Sequence, residues 1–486
     1  MERPADDVRR RTLSGIRAVA LLNVATLPLS FLINLVLSRS SPLALGYYGA
    51  SQLFVGTFIT FFVLGGPPVF ARFVPRIPPS RRLSFLLAYT GACLALFAAT
   101  AALLAAAPSA VSGLIARFGE PPLAWAAVLC VAVLVWAFTS HFLYGSLEAP
   151  RAAWTLKSVT LGYAVLALAF LGPLREALAH DPRRAIWGAT VVVHVLGAFL
   201  GAFHVWRTVP RGTGVDLRGL PEGFWPVVGY VHLGTLVAFV YSSLSPAAVL
   251  LTLDVGALAF LHAAGRFPLL VVSLPAMIAD VVAPGLASLD ASGMRDRALR
   301  HATAAVEAAL VVTVPLVLGF VFFARDAMAL FGPPFVEHRE LLRILALSAL
   351  SAPVVYVGSG MLAAFGAFRA YLLASALYVA TALVLVVVLV RGFGLPGAAW
   401  AATIGAALQQ TVVTVTLRRR LGYAAPSRAT AAWVCCAGAF ALASTVDPGR
   451  LAAAGAFVLA TIAFAVLGRV RPSEVRDLAR RLLGRG

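Results

Sequence analysis

The chain has 486 residues, of which 60% are hydrophobic and only 12% charged, and its mean hydropathy is +0.90. So little polar surface excludes a soluble enzyme, a secreted domain or a disordered scaffold of this length. The net charge of +19 belongs, in a membrane chain, to loops held on the cytoplasmic side and not to nucleic-acid binding.

What remains is an all-α polytopic membrane protein, because the polar residues are too few and too unevenly spread for an alternating barrel. A hydrocarbon core of about 30 Å takes about 20 residues of helix. The first apolar run covers residues 14–37 behind Arg9, Arg10 and Arg11. No small-residue cleavage site closes it, so it reads as a retained span. Later spans begin near Gly46, Leu83, Pro122, Trp154, Ile186, Phe224, Val255, Ala302, Leu341, Ala370, Pro396, Ala429 and Leu451, which makes fourteen. Arg, Pro or Gly clusters bound each of them.

Charge supplies an independent check. With a cytoplasmic N-terminus and alternating sides, 28 of the 39 basic residues fall on the cytoplasmic side and 10 on the other, with Arg266 inside a span. One missed span would exchange the sides of every later loop and blur this excess, so both ends are expected in the cytoplasm. No loop is long enough for a catalytic domain; the longest, residues 207–223, has 17 residues. In the tail, Val475, Leu478 and Leu482 recur at helical spacing among arginines, which fits a short helix lying on anionic lipid. Cys93, Cys130, Cys435 and Cys436 sit in apolar runs without metal-ligand spacing and read as small buried hydrophobes.

Polar stripes mark which spans face something other than lipid. In span one, Asn23, Thr26, Ser30 and Asn34 follow steps of 3, 4 and 4. In span seven, His232, Thr235, Ser242 and Ser245 share a face; in span eight, His262 precedes Arg266, with Ser273 and Asp280 at intervals of seven. Such stripes line a substrate path or pack helix on helix. Arg266 is the exception: ten residues at 1.5 Å place it about 15 Å deep, where insertion costs about 2.5–3.5 kcal/mol. Its guanidinium holds an anionic headgroup bidentately, pairs with an acid such as Asp280 or Glu307, or snorkels. Pro67, Pro68, Pro268, Pro275 and Pro284 are expected to bend spans two and eight. His141, His194 and His204 relay protons or pack by hydrogen bonds.

Two weak internal matches point to a repeat. Residues 44–50 (ALGYYGA) lie on residues 257–263 (ALAFLHA), an offset of 213, and Gly145-x-x-x-Ala149 lies on Gly360-x-x-x-Ala364. The members of each pair are six spans apart, so the repeats share one orientation.

Three segments carry a further resemblance: Leu43–Tyr48 with Arg72 after it; Leu330-Phe331-Gly332 followed by Gly360–Gly366; and Gly392–Thr403 (GFGLPGAAWAAT). In order and spacing the chain resembles the multidrug/oligosaccharidyl-lipid/polysaccharide exporter superfamily, in its polysaccharide-biosynthesis, O-antigen flippase-like branch. The resemblance implies two six-helix lobes around a central cavity lined by spans one, two, seven and eight. The expected division is an N-lobe at 1–206, an inter-lobe loop at 207–223, a C-lobe at 224–420, two extra spans at 421–468 and a basic tail at 469–486. It further implies a multi-pass protein of the cytoplasmic (inner) membrane. By alternating access it would move an isoprenoid-pyrophosphate-linked glycan, a polysaccharide or lipopolysaccharide O-antigen precursor, with glycan polymerase or glycosyltransferase partners. Candidate substrate-binding residues are Asn23, Ser30, Asn34, His232, Thr235, His262, Arg266 and Ser273. A peptidoglycan-precursor flippase and a cation-coupled multidrug antiporter share this fold; a membrane glycan polymerase is the rival from another class. Neither a cofactor nor a catalytic residue is expected, since no nucleotide-binding loop, metal cluster or nucleophile elbow is present in the sequence. Reporter fusions at Arg211 and Arg420 are expected to report the cytoplasm and fusions at Asp181 and Glu337 the opposite side; reversal at either pair contradicts the fourteen-span count.

Overall fold

The computed structural model describes Leu22, Thr26 and residues 28–74, 77–106, 123–146, 148–209, 221, 223–291, 293–365, 367–446 and 449–470. Among these residues every regular element is helical. Asn23, the tail from residue 471 and most of the loop 207–223 lie outside them. Nine helical stretches among the described residues are long and apolar enough to cross a bilayer.

The chain begins with α1 (residues 28–40) and α2 (Pro42–Phe62). Ser41 separates them: its hydroxyl accepts the Leu43 N–H at 3.2 Å, and Pro42 starts the next helix, the arrangement that satisfies free donors at a helix start. After Phe62 the backbone turns through Gly65 (φ +73°) and Gly66 (φ +48°) into α3 (Gly66–Phe73). Only residues without a Cβ adopt such φ values without strain. Pro67 and Pro68 therefore open a helix and do not bend one; the break in span two belongs to the glycines.

A 3₁₀ turn (Pro79–Arg81) leads to α4 (Arg82–Ala105), followed by α5 (Leu123–Gly145), α6 (Ala149–Leu171), the short α7 (Arg175–His180) and α8 (Pro182–Thr208). Next come α9 (Phe224–Thr252), α10 (Val255–Ala291), α11 (Arg295–Phe322), the short α12 (Ala324–Ala329) and α13 (Pro333–Val336). The last helices are α14 (Arg339–Ser348), α15 (Ala352–Ala364), α16 (Phe368–Leu421), α17 (Ser427–Val446) and α18 (Arg450–Leu467). Pro268, Pro275 and Pro284 lie within α10, which continues unbroken over 37 residues.

α16 is two helices joined by a reversal. As one rod its 54 residues would measure about 80 Å, far beyond a bilayer. Gly394 leaves helical geometry (φ +59°, ψ −133°), and a Cβ on Gly397 would overlap the Leu389 carbonyl. Residues eight apart meet only where the chain folds back. The turn falls in the Gly392–Gly397 segment.

The chain forms two compact units: residues 1–243 with 254–259, and residues 244–253 with 260–486. In the first, Phe70, Tyr89, Phe138 and Phe224 form an aromatic centre, with Tyr89 edge-on to Phe138 (4.9 Å) and to Phe224 (5.0 Å), a favourable ring geometry. Small residues allow helices to close on it: a Cβ on Gly145 would lie 2.7 Å from the Phe70 carbonyl oxygen. On α8, Gly197 and Gly201 face Trp136 and Thr139 of α5, a small-xxx-small contact. Cys93 and Cys130 are buried in this core.

The second unit is centred on α11, whose Val314, Leu318 and Val321 pack with Leu350, Val354, Leu417 and Cys436. Its buried cations are internally satisfied. Arg343 is 2% exposed; it donates from Nε to the Val321 carbonyl at 3.1 Å and pairs with Glu340. Arg428 donates to the Gly468 and Arg469 carbonyls at 2.8 and 3.1 Å and pairs with Glu307 at 3.3 Å. One guanidinium thus caps the end of α18 while joining α17 to α11.

Candidate functional site

Asp254 starts the helix that carries the central residues. Its carboxylate accepts the Ala257 N–H at 2.7 Å, which caps α10 and favours its N-terminal dipole. Arg266 follows about 16 Å along the axis from Val255. One turn before it, His262 turns its ring to the guanidinium: Arg266 Nε donates to His262 Nε2 at 3.1 Å. Both side chains are partly buried. Ser273 lies two turns further on and donates to its own helix at the Leu270 carbonyl, 2.6 Å away.

The remaining predicted residues lie in the first unit. Asn34 is fully buried and donates from Nδ2 to the Ser30 carbonyl at 2.6 Å; Thr26 likewise donates to the Leu22 carbonyl. Thr235 donates to the Val231 carbonyl at 3.1 Å. Nδ1 of His232 is buried with no hydrogen-bond partner among the described residues. The helical spacings thus bring Ser30 to Asn34 and His262 to Arg266. Ser30, Asn34, His232 and Thr235 belong to the first unit, and His262, Arg266 and Ser273 to the second.

The two acids considered as Arg266 partners separate. Glu307 is engaged by Arg428, so its role is structural. The Asp280 side chain lies outside the described ones. Outside the spans, His338 stacks on Phe260 (ring centroids 3.8 Å). Burial there lowers its pKa below the ordinary histidine value, with Glu337 acting in the opposite sense.

A second polar group joins His194 and His204, expected to relay protons or to pack by hydrogen bonds, to residues that the sequence reading does not single out. Gln52 Nε2 donates to the Tyr163 hydroxyl at 2.8 Å, and the Thr190 hydroxyl donates to Ser51 at 3.2 Å. His194 bonds the Thr190 carbonyl, His204 bonds Thr155, and Trp136 Nε1 donates to the Thr155 carbonyl. These bonds tie α2, α5, α6 and α8 together. The signal was present: Thr190, His194, Gly197, Gly201 and His204 recur on α8 at steps of 4, 3, 4 and 3. No group of three His, Cys, Asp or Glu among the described residues is placed to hold a metal.

These features define a multi-pass, all-helical membrane protein in two compact units. Its fold is that of the MOP-superfamily transporters. The lipid II flippase MurJ, in an inward closed conformation, aligns with 93% of this chain and 98% of its own length, with a TM-score of 0.68 at 13% identity. An inward-facing multidrug resistance transporter of the MATE family, MOP superfamily, covers 83% of this chain and 98% of its own length, with a TM-score of 0.63 at 16% identity. A MOP-superfamily transporter from Pyrococcus furiosus, described as having a binding pocket of reverse polarity, gives a TM-score of 0.54 at 15% identity, covering 84% of this chain and 96% of its own. No family model and no curated protein sequence matches the chain.

Glu307→Gln is expected to weaken the Arg428 clamp, lowering stability by roughly 1–3 kcal/mol in thermal unfolding of the detergent-solubilised protein. Transport per folded molecule should stay unchanged. Loss of transport at unchanged stability would instead place Glu307 in the functional site.

Proposed function

We propose that the protein is a flippase for a lipid-linked oligosaccharide. It moves an isoprenoid-diphosphate-linked polysaccharide or O-antigen precursor across the cytoplasmic membrane by alternating access. The observation that carries this reading is Arg266, a cation well inside an apolar helix and held there by His262. A guanidinium is always charged, and its forked donors match two phosphate oxygens. The cost of placing it in a span is offset when it binds an anion.

The wider arrangement belongs to the same proposal. Fourteen spans with both termini cytoplasmic form two six-span lobes, at 1–206 and 224–420, and two further spans at 421–468. The reversal at Gly394 supports counting α16 twice. The basic tail at 469–486 rests on anionic lipid, and the glycosyltransferase or polymerase that makes or consumes the glycan is the natural partner. His262 and Ser273, with Asn23, Ser30, Asn34, His232 and Thr235, supply polar contacts to headgroup and sugars. No covalent chemistry is required.

Two observations favour second readings. The likeness to MurJ fits a peptidoglycan-precursor flippase, whose substrate would present the same diphosphate. The likeness to MATE transporters fits a cation-coupled drug antiporter. Against the antiporter, α1 and α2 contain no Asp or Glu, so these helices offer no carboxylate to a cationic drug.

Flipping of defined lipid-linked sugars by the reconstituted protein tests the proposal. Arg266→Ala is expected to insert and fold yet lose most transport, and Arg266→Lys to restore little of it, because an ammonium lacks the fork. Normal flipping by folded Arg266→Ala rules out the headgroup role.

A further inference from the structure

Lys157 is the only lysine in the chain. It stands half-buried, seven residues inside the apolar stretch Pro150–Leu171, about 10 Å along the axis of α6. A cation at that depth is costly unless its long stem carries the ammonium back to the headgroup level. At 100° per residue, Arg151, Trp154 and Lys157 follow one another in steps of about 60° and occupy one arc of the helix. Trp154, in the middle of that arc, is exposed.

The end of α8 runs antiparallel against this turn of α6. Arg151 Nη1 donates to the Thr208 hydroxyl at 3.1 Å, the Thr155 hydroxyl and His204 Nδ1 are 2.9 Å apart, and a Cβ on Gly197 would lie 3.2 Å from Ser158 Oγ. Measured from this seam, Trp154 on α6 and Arg207 on α8 fall on the same side of the helix pair. That side is open: Arg207 is exposed with its guanidinium 5.4 Å from the Phe203 ring centre, and Val165, Leu168 and Leu196 are exposed deeper along the two helices. The opposite side, with Val159, Tyr163 and Val205, is buried. Glu148 pairs with Arg151 at 3.1 Å. Among the described residues neither Lys157 nor Arg207 has an acidic partner, so the open side carries an excess of positive charge.

We propose that this side of the α6–α8 pair binds an anionic phospholipid of the bilayer. Its phosphate lies between Arg151 and Arg207 on one flank of Trp154 and Lys157 on the other, and its acyl chains lie on Val165, Leu168 and Leu196. The match holds at each level. An indole settles at the boundary between water and hydrocarbon, where lipid phosphates are. The two arginines reach that level from the helix ends with forked donors. The Lys157 ammonium reaches it from below, and the anion offsets the cost of its depth. Basic clusters between transmembrane helices bind anionic headgroups by the same charge balance. A zwitterionic lipid brings a cation of its own and gains less. The site uses α6 and α8 alone and does not depend on the role proposed for Arg266.

The test uses the full-length protein in phosphatidylcholine nanodiscs doped with either brominated phosphatidylglycerol or brominated phosphatidylcholine, because bromine quenches an indole that it touches. Comparison with Trp154→Phe isolates the Trp154 share of the fluorescence. Phosphatidylglycerol is expected to quench that share at a several-fold lower mole fraction than phosphatidylcholine. Lys157→Gln and Arg207→Gln should each cut the preference about fivefold, while Lys157→Arg, which keeps the charge, should retain it. Size-exclusion profiles verify folding of the variants. In wild type alone, raising salt to about 1 M should shrink the preference, since screening then acts within about 3 Å. Equal quenching by the two lipids at low salt, or a preference that survives both Gln changes or high salt, overturns the proposal. Displacement of phosphatidylglycerol from Trp154 by farnesyl diphosphate at equal mole fraction assigns the site to an isoprenyl diphosphate and likewise overturns it.

Discussion

A donor inside a hydrocarbon layer has no water to fall back on, and the architecture follows from that constraint. Backbone groups meet it by forming helices. Most hydroxyls meet it locally, donating to a carbonyl three or four residues back, as Thr60, Thr139 and Ser273 do. Arginine cannot be satisfied so cheaply, because it carries five donors and a fixed charge. Arg343 and Arg428 resolve the problem with backbone carbonyls and a carboxylate, and so fix α14 to α11 and the end of α18 to α17. Arg266 differs in kind: the partner it engages on its own helix is the imidazole of His262.

Close packing provides the frame that holds such groups. Without a hydrophobic drive between helices in lipid, small residues and interhelical hydrogen bonds do the joining. In the first unit both occur on one face of α8, where Gly197 and Gly201 admit α5 while Thr190 and His204 bond α2 and α6. Glycine also sets the breaks. Gly65 and Gly66 divide span two, and Gly394 reverses α16. Prolines in α10 leave its helix continuous, since neighbouring backbone adjusts around them.

The sequence made the helical class and the position of most helices legible, because apolar runs bounded by Arg, Pro and Gly leave few alternatives. It also located the pairs within a single helix, His262 with Arg266 and Ser30 with Asn34, since spacing alone decides which residues of one helix meet. Contacts between helices were not legible in the same way. Nothing in the spacing of Glu307 indicated that Arg428 would claim it, or that Arg343 would turn inward to the Val321 carbonyl. The stripe on α8 was readable in part: His194 and His204 stand out as intramembrane histidines, whereas Thr190 is a residue type common in any span.

The central claim is that the Arg266 guanidinium binds the headgroup of the substrate. A structure of the nanodisc-embedded protein with a bound isoprenyl diphosphate tests it most directly. The account predicts diphosphate oxygens within hydrogen-bond distance of the Arg266 guanidinium. A headgroup bound elsewhere would contradict it.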